Sequence, residues 1–477
     1  MCELDPVRRS TLARVGSCAT RTQLNGDDMA PEPDAALPEV TYFVRHARFR
    51  VSGMGRSQEM TDRGLRSNWA GNVDFGAARI HEPESIDALR DIVESSRRVR
   101  AFGRGHSFSR IVGTGDDLVL LESLPKMLEV DSVNSMVRVS PGMTYTEFAE
   151  GLHRAGFALA NMASIPDISI AGACATGTHG SGDQQRVLAA SVRAIQFVAA
   201  DGTLVELQRD VDRDRFPGSV VALGALGIVT QLTLDVVPTY KMSQQVHLGV
   251  PLQLLEDRPD DVFSVGYSVS AFTDWRSDAA MVWVKRRTDQ PASQWTAGKP
   301  ARHGVHPVPG MSPELCTEQL GIVGPWHERL THFRPRATLG AGNELQSELF
   351  LPRTVATQAV SALREIGGLL APVLLVSEIR TIHADDLWLS PAYGRDTVAF
   401  HFTWTADESA VEPAIAAIEE QLLPLDPRPH WAKLTTMNPR QSVSGYERAP
   451  DFERLMVAYD PTFKFRNEFV NGYFPPG

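Results

Sequence analysis

The chain has 477 residues, 43% of them hydrophobic and 22% charged, with a formal charge of -11 and a pI near 5.7. That length exceeds what one compact core fills and implies two domains. The acidic balance excludes a nucleic-acid backbone as the main partner, because such a partner calls for a concentrated basic surface.

No apolar run approaches the ~20 residues of a membrane-spanning helix. Cys2, Cys18, Cys174 and Cys316 are scattered, with neither a CxxC pair nor a metal-spaced cluster, so a cytoplasmic protein without metal or disulfides is expected. At the N-terminus Arg8 and Arg9 hint at a twin-arginine signal, but the TLARVGSCATRTQLNGDD that follows has no apolar core, and export is not expected. Residues 1–67 lack sustained periodicity and contain the Pro-rich PEPDAALPEV. They read as a disordered or loosely attached arm, with Met60 as an alternative start.

From Asn68 the pattern becomes regular. Ser85 is an N-cap candidate, and Ile86, Leu89, Ile92 and Val93 mark one face of a helix through about Arg98. Val99–Phe102 reads as a strand running into GRGHSF (103–108), followed by strand-like segments at 118–121, 128–130 and 137–139. A second helix, 144–155, ends at Gly156. The stretch 170–182, IAGACATGTHGSG, is so dense in small residues that a large flat ligand or its phosphates can approach the backbone. AIQFVAADGTLVEL (194–207) is a hairpin turning at Asp201-Gly202, and 224–238 closes this region with another strand.

Beyond about residue 243 three strand-like segments carry polar groups at two-residue spacing. They are Glu344, Gln346 and Glu348; Glu378 and Arg380; and Ala399, His401 and Thr403, the last set alternating with Val398, Phe400, Phe402 and Trp404. A solvated face accounts for such a pattern, but the mixture of Gln, Glu, Arg, His and Thr suits an antiparallel sheet with one face on helices and the other lining a site.

The motifs NWAGN (68–72), GRGHSF (103–108), NMASIPDISIAG (161–172), ATGTHGSG (175–182), LGALGIVTQLT (223–233), ELQSE (344–348), SEIRT (377–381), YGRDTVAFHFTW (393–404) and PHWAK (429–433) occur in order. In them the chain resembles the vanillyl-alcohol-oxidase-type flavoproteins, and within these the alditol oxidases. The resemblance implies a two-domain α+β fold. An FAD-binding domain would span 68–242 and be completed by 431–477, with a substrate domain, 243–430, carrying a large antiparallel sheet.

The same resemblance implies FAD tethered covalently to His106. Read alone, that residue is more often a loop histidine with a satisfied hydrogen bond. GRGHSF is not a dinucleotide-binding Rossmann fingerprint, since the third glycine and the helix start are missing. By resemblance Phe102, Gly103, Arg104, Gly105 and Ser107 would bind phosphates. Ser164, Ser169, Gly172, Ala175, Thr176, Gly177, Thr178 and Val229 would hold the rest of the cofactor, while His179 reads as structural. Arg104 departs from the smaller residue expected between the glycines, and would either favour the pyrophosphate or crowd the loop.

The substrate pocket carries over onto Ser164, Gln346, Glu378, Arg380, His401, Thr403 and Lys433. Arg380 and Lys433 would stabilise an alkoxide, Glu378 would bind the reacting hydroxyl and hold the guanidinium, and Glu378 or His401 would take the proton. Lys433 would also lie near the flavin N1–C2 carbonyl. The implied reaction oxidises the terminal alcohol of a polyol such as xylitol or sorbitol with O2 as acceptor, by a monomer. A sugar-lactone oxidase or dehydrogenase is the alternative.

Overall fold

The structure is a computed structural model that describes residues 67–476, apart from 292–294 and 336–343, together with the strands Glu39–Val44 and Ala47–Ser52. Both of these strands fall within the stretch 1–67. They form an antiparallel hairpin, and the first runs parallel to Met127–Asp131 with Thr41 opposite Met127. The β-branched and aromatic run VTYFV favours a strand, a signal masked by the prolines before it. Arg8, Arg9, Cys2, Cys18 and Met60 lie outside the described residues.

In the first half, local signals act as expected. Ser85 accepts from the Ala88 amide at 3.1 Å and starts helix Ile86–Ser95, which buries Leu89 and Val93. It stops short of Arg98 because Ser96 turns extended. Thr144 and Glu147 form a capping box on helix Tyr145–Arg154, and Gly156 follows in the left-handed region at φ 85°.

The hairpin Val192–Val198 and Leu204–Gln208 belongs to a seven-stranded sheet that continues through Ile228–Asp235, Met136–Val139 and Met127–Asp131 to the N-terminal hairpin. A smaller parallel sheet joins Arg79–His81, Asp117–Leu120 and Val99–Phe102.

The second half is organised by a nine-stranded antiparallel sheet. Its consecutive central strands are Lys241–Pro251, Ala279–Arg287, Ser268–Thr273, Leu374–Ile382, Thr397–Thr405 and Glu344–Pro352. Val398, Phe400, Phe402 and Trp404 are buried in one core with apolar residues of helices Ala356–Leu370 and Glu408–Leu422. Burying each such side chain stabilises by about 1.5–3 kcal/mol. A one-residue slip would reverse every side chain of the strand, so Ala399, His401 and Thr403 are committed to the opposite face.

The C-terminal segment returns to the first half. Phe452, Met456, Phe465, Val470 and Phe474 share a core with Leu89, Val99, Phe148 and Phe197. Buried Arg100 donates to the carbonyls of Ile111, Leu223, Gly224 and Phe465, and Lys464 donates to that of Val93 at 2.6 Å. Among the described residues no helix is long and apolar enough to cross a membrane.

Candidate active site

A cleft with about 1730 Å³ of empty space, its open mouth included, separates the glycine-rich loops from the free face of the large sheet. Its loop wall is made by leaving side chains out. Gly105 sits at φ 70°. A Cβ on Gly103 would fall 2.0 Å from Ser169 Oγ, and one on Gly172 would fall 2.7 Å from the same atom. The loops therefore touch where they lack side chains.

All the expected cofactor positions line this cleft except two. Phe102 turns away into a small core against Phe75, ring centroids 5.2 Å apart. Gly177 (φ 69°) instead lets the chain pass Pro391, where a Cβ would meet Cδ at 2.7 Å. Arg104 does not crowd the loop, because its guanidinium pairs with Glu122 at 2.7 Å. His106 stacks on Trp69 with centroids 5.7 Å apart. Burial, aided by the Arg104 charge, lowers its pKa to about 4, so it is a neutral imidazole at neutral pH.

The sheet wall is made by burying ionisable side chains. Strand register puts Glu348, His401 and Glu378 in one row, with Gln346 and Thr403 in the next. Arg380 Nη2 donates to Glu348 Oε1 at 2.5 Å and Nη1 donates to Ser164 Oγ at 3.3 Å, whereas its Nε stands 3.7 Å from Glu378 Oε2. The guanidinium is therefore held chiefly by Glu348 and not, as expected, by Glu378.

Burial alone would raise both carboxyl pKa values, but Arg380 and a histidine beside each (His179 for Glu348, His332 for Glu378) hold them well below the usual range. Arg380 itself stays charged, since the two carboxylates outweigh the cost of its burial.

Gln346 Oε1 accepts from Lys433 Nζ and lies 3.2 Å from His401 Nε2, while Gln346 Nε2 donates to Glu344 Oε1 at 2.7 Å. Burial lowers the Lys433 pKa to about 8 despite Glu348, and burial lowers that of His401 to about 3. Glu378 Oε1 and Arg380 Nε are both buried without a hydrogen-bond partner among the described residues. An unmet acceptor and an unmet donor thus lie two residues apart on one strand face.

Sequence reasoning assigned no role to Glu348, although its two-residue spacing from Gln346 placed it on the right face. It read His179 as structural; the ring does line the cleft, with Nε2 3.1 Å from Glu348 Oε1. It missed His332 altogether, whose Nε2 lies 3.1 Å from Glu378 Oε1, and no local pattern marks that residue.

Comparison with known proteins identifies the family. The family described as FAD binding domain matches residues 77–208, and that described as D-arabinono-1,4-lactone oxidase matches 346–473. An alditol oxidase from Streptomyces sp. is 46% identical over 408 residues, covering 85% of this chain and 97% of that protein. The chain belongs to the alditol oxidase family of FAD-dependent oxidoreductases.

Within the wider relationship, an L-gulono-1,4-lactone dehydrogenase from Mycobacterium tuberculosis is 27% identical over 86% of this chain and 99% of its own length. In fold alone the chain is similar to a solvent-stable cholesterol oxidase, at a TM-score of 0.69 and 15% identity, covering 85% of this chain and 96% of that one. A cholesterol oxidase from B. sterolicum gives a TM-score of 0.67 at 13% identity, covering 89% and 100%. The chain pairs a side-chain-poor loop wall with a large antiparallel sheet, and a cleft of this size with such a wall suits FAD.

Proposed function

We propose that the protein oxidises the terminal primary alcohol of an alditol such as xylitol or sorbitol to the aldose, with O2 reduced to H2O2 and FAD carried covalently on His106. The carrying observation is the unmet pair, Glu378 Oε1 and Arg380 Nε. An alcohol hydroxyl donates one hydrogen bond and accepts others, so it matches both groups in kind. The Streptomyces relative, named as an alditol oxidase, supports the substrate class.

The side chains divide the work. Glu378 accepts the hydroxyl proton at Oε1, and Arg380 steadies the charge left on oxygen. His401 is neutral and next to the Gln346 carbonyl oxygen, so it orients Gln346 rather than acting as base. Gln346, Thr403, Ser164 and the Lys433 ammonium offer donors and acceptors to the remaining hydroxyls. When bound, the flavin supplies the hydride acceptor and the route of electrons to O2. The neutral His106 has a ring nitrogen lone pair, the form needed to bond to a flavin carbon. One chain supplies every residue named, which suits a monomer.

Adding xylitol, sorbitol, gulono-1,4-lactone and galactono-1,4-lactone separately to the anaerobic holoprotein tests this reading. Polyols should bleach the flavin and lactones should not. The reverse pattern would make the protein a lactone oxidase, the reading favoured by the match over 346–473. Acid precipitation should leave the flavin with the protein and release it from His106→Ala. Colour retained by that variant would place the attachment elsewhere.

A further inference from the structure

Behind Glu378, on the side away from Arg380, a chain of buried polar groups runs into the sheet. His332 is 3% exposed and Lys285 is 1% exposed. The His332 ring lies flat on Trp283, with centroids 5.2 Å apart and planes at 8°. Its Nε2 is 3.1 Å from Glu378 Oε1 and 3.1 Å from Ser270 Oγ, and its Nδ1 is 3.4 Å from Lys285 Nζ. The angular geometry at Nε2 favours Ser270, which leaves Glu378 Oε1 without a hydrogen-bond partner among the described residues.

Lys285 Nζ also meets the carbonyls of Leu330 at 2.5 Å and Thr331 at 2.7 Å. An ammonium has three N–H donors and no lone pair, and it finds three acceptors here. Burial pulls the Lys285 pKa well down, and the nearby Glu378 charge opposes this. His332 is neutral, its pKa lowered to about 4 by burial and then by Lys285, so it carries one ring proton. Where Lys285 is an ammonium donating to Nδ1, that proton sits on Nε2.

We propose that Lys285 and His332 are positioning residues for the alcohol oxidation: Lys285 fixes the imidazole with its proton on Nε2, and this N–H, donated to Ser270 and 3.1 Å from Glu378 Oε1, stabilises the Glu378 carboxylate from behind. The inference rests on the reading of Glu378 as the proton acceptor. The backbone adds to the positioning, because the His332 amide donates to the Ser164 carbonyl at 3.0 Å and Ser164 Oγ in turn accepts from Arg380. The charged and titratable groups around Glu378 are Arg380 on its own strand, His401 on the neighbouring strand, Glu348 beyond it, Lys433 bonded to Gln346 of that farther strand, and His332 with Lys285 behind.

The test is stopped-flow bleaching of the anaerobic holoenzyme by xylitol from about pH 3 to about pH 9, separating the limiting rate from the xylitol dissociation constant. Without Lys285 the imidazole is free to place its proton on Nδ1, and its Nε2 lone pair then faces the carboxylate. Lys285→Met should therefore raise the acid limb of the limiting rate by about one pH unit or more, with the dissociation constant changed less than about threefold. His332→Phe keeps a ring for Trp283 but has no donor, and should raise the limb likewise. His332→Gln, whose amide N–H can reach toward Glu378, should restore it.

An acid limb that stays in place in Lys285→Met overturns the inference. If that protein does not accumulate folded, an unmoved limb in His332→Phe overturns it instead. A wild-type flavin that no polyol bleaches would sink the functional reading itself, whereas normal bleaching with unmoved limbs sinks only the role of these two residues.

Discussion

The loop wall of the cleft works by removing side chains, and the sheet wall by burying charged ones. At Gly103 and Gly172 the loops meet through absent Cβ atoms, so the wall there is backbone beside the stacked rings of His106 and Trp69. On the sheet, Glu348, Glu378, Arg380 and His401 are each less than 10% exposed and are held by one another across three strands. The first kind of wall is sensitive to added volume and nearly indifferent to charge. The second is sensitive to charge and tolerates little loss of a partner, since a buried ion left alone costs far more than a packing defect.

The largest effect should come from the sheet. Arg380→Ala should slow flavin reduction by polyol roughly 10²–10³-fold, the scale of a lost transition-state donor, while FAD content stays at the wild-type level. Stopped-flow reduction and the ratio of flavin to protein absorbance report both; reduction at near-normal rate would dissolve the contrast between the walls.

Next in size is a pH effect. Lys433 loses its proton as pH rises through about 8, so reduction should fall above that value, at most about tenfold per pH unit. A rate flat to pH 10 would show that its positive charge is not used.

On the loop wall, Gly103→Val should lower stability by about 1–3 kcal/mol through overpacking against Ser169, and should lower FAD content, both read by thermal melting and absorbance. Unchanged FAD content would mean that the loops can part. The smallest effect belongs to Arg104→Ala. Its pair with Glu122 is about 30% exposed on each side, so a loss under about 1 kcal/mol is expected, with FAD retained. FAD loss there would give the loop wall a charge of its own after all.

The two walls also differ in how openly the sequence displays them. Helix caps at Ser85 and Thr144, the Asp201-Gly202 turn and the glycine density at 170–182 are local, and the chain folds there as those signals direct. For the sheet, alternation reveals which residues share a face but not how strands stand against each other. That His401 lies between Glu348 and Glu378 follows only from the register. Lys285 is the hardest case: in AAMVWVKRR a lysine beside two arginines reads as the solvated end of a strand, yet three acceptors from and beside His332 take it into the interior. Phe102 and Gly177 err the other way, being neighbours of cofactor-facing positions whose own contacts are with Phe75 and Pro391.

The hydrogen bonds that tie Arg100 to Phe465 and Lys464 to Val93 span 365 and 371 residues of chain. At ribosomal speeds of about 5–20 residues per second, the first half waits roughly 20–70 s for the strap that closes its core. During synthesis its buried arginine has no Phe465 carbonyl to bind, and the hydrophobic surface destined for Phe452, Phe465 and Phe474 is open to chaperones. Maturation of this protein is therefore timed from its far end, and a loss of those residues would be felt first as a nascent chain that cannot finish folding.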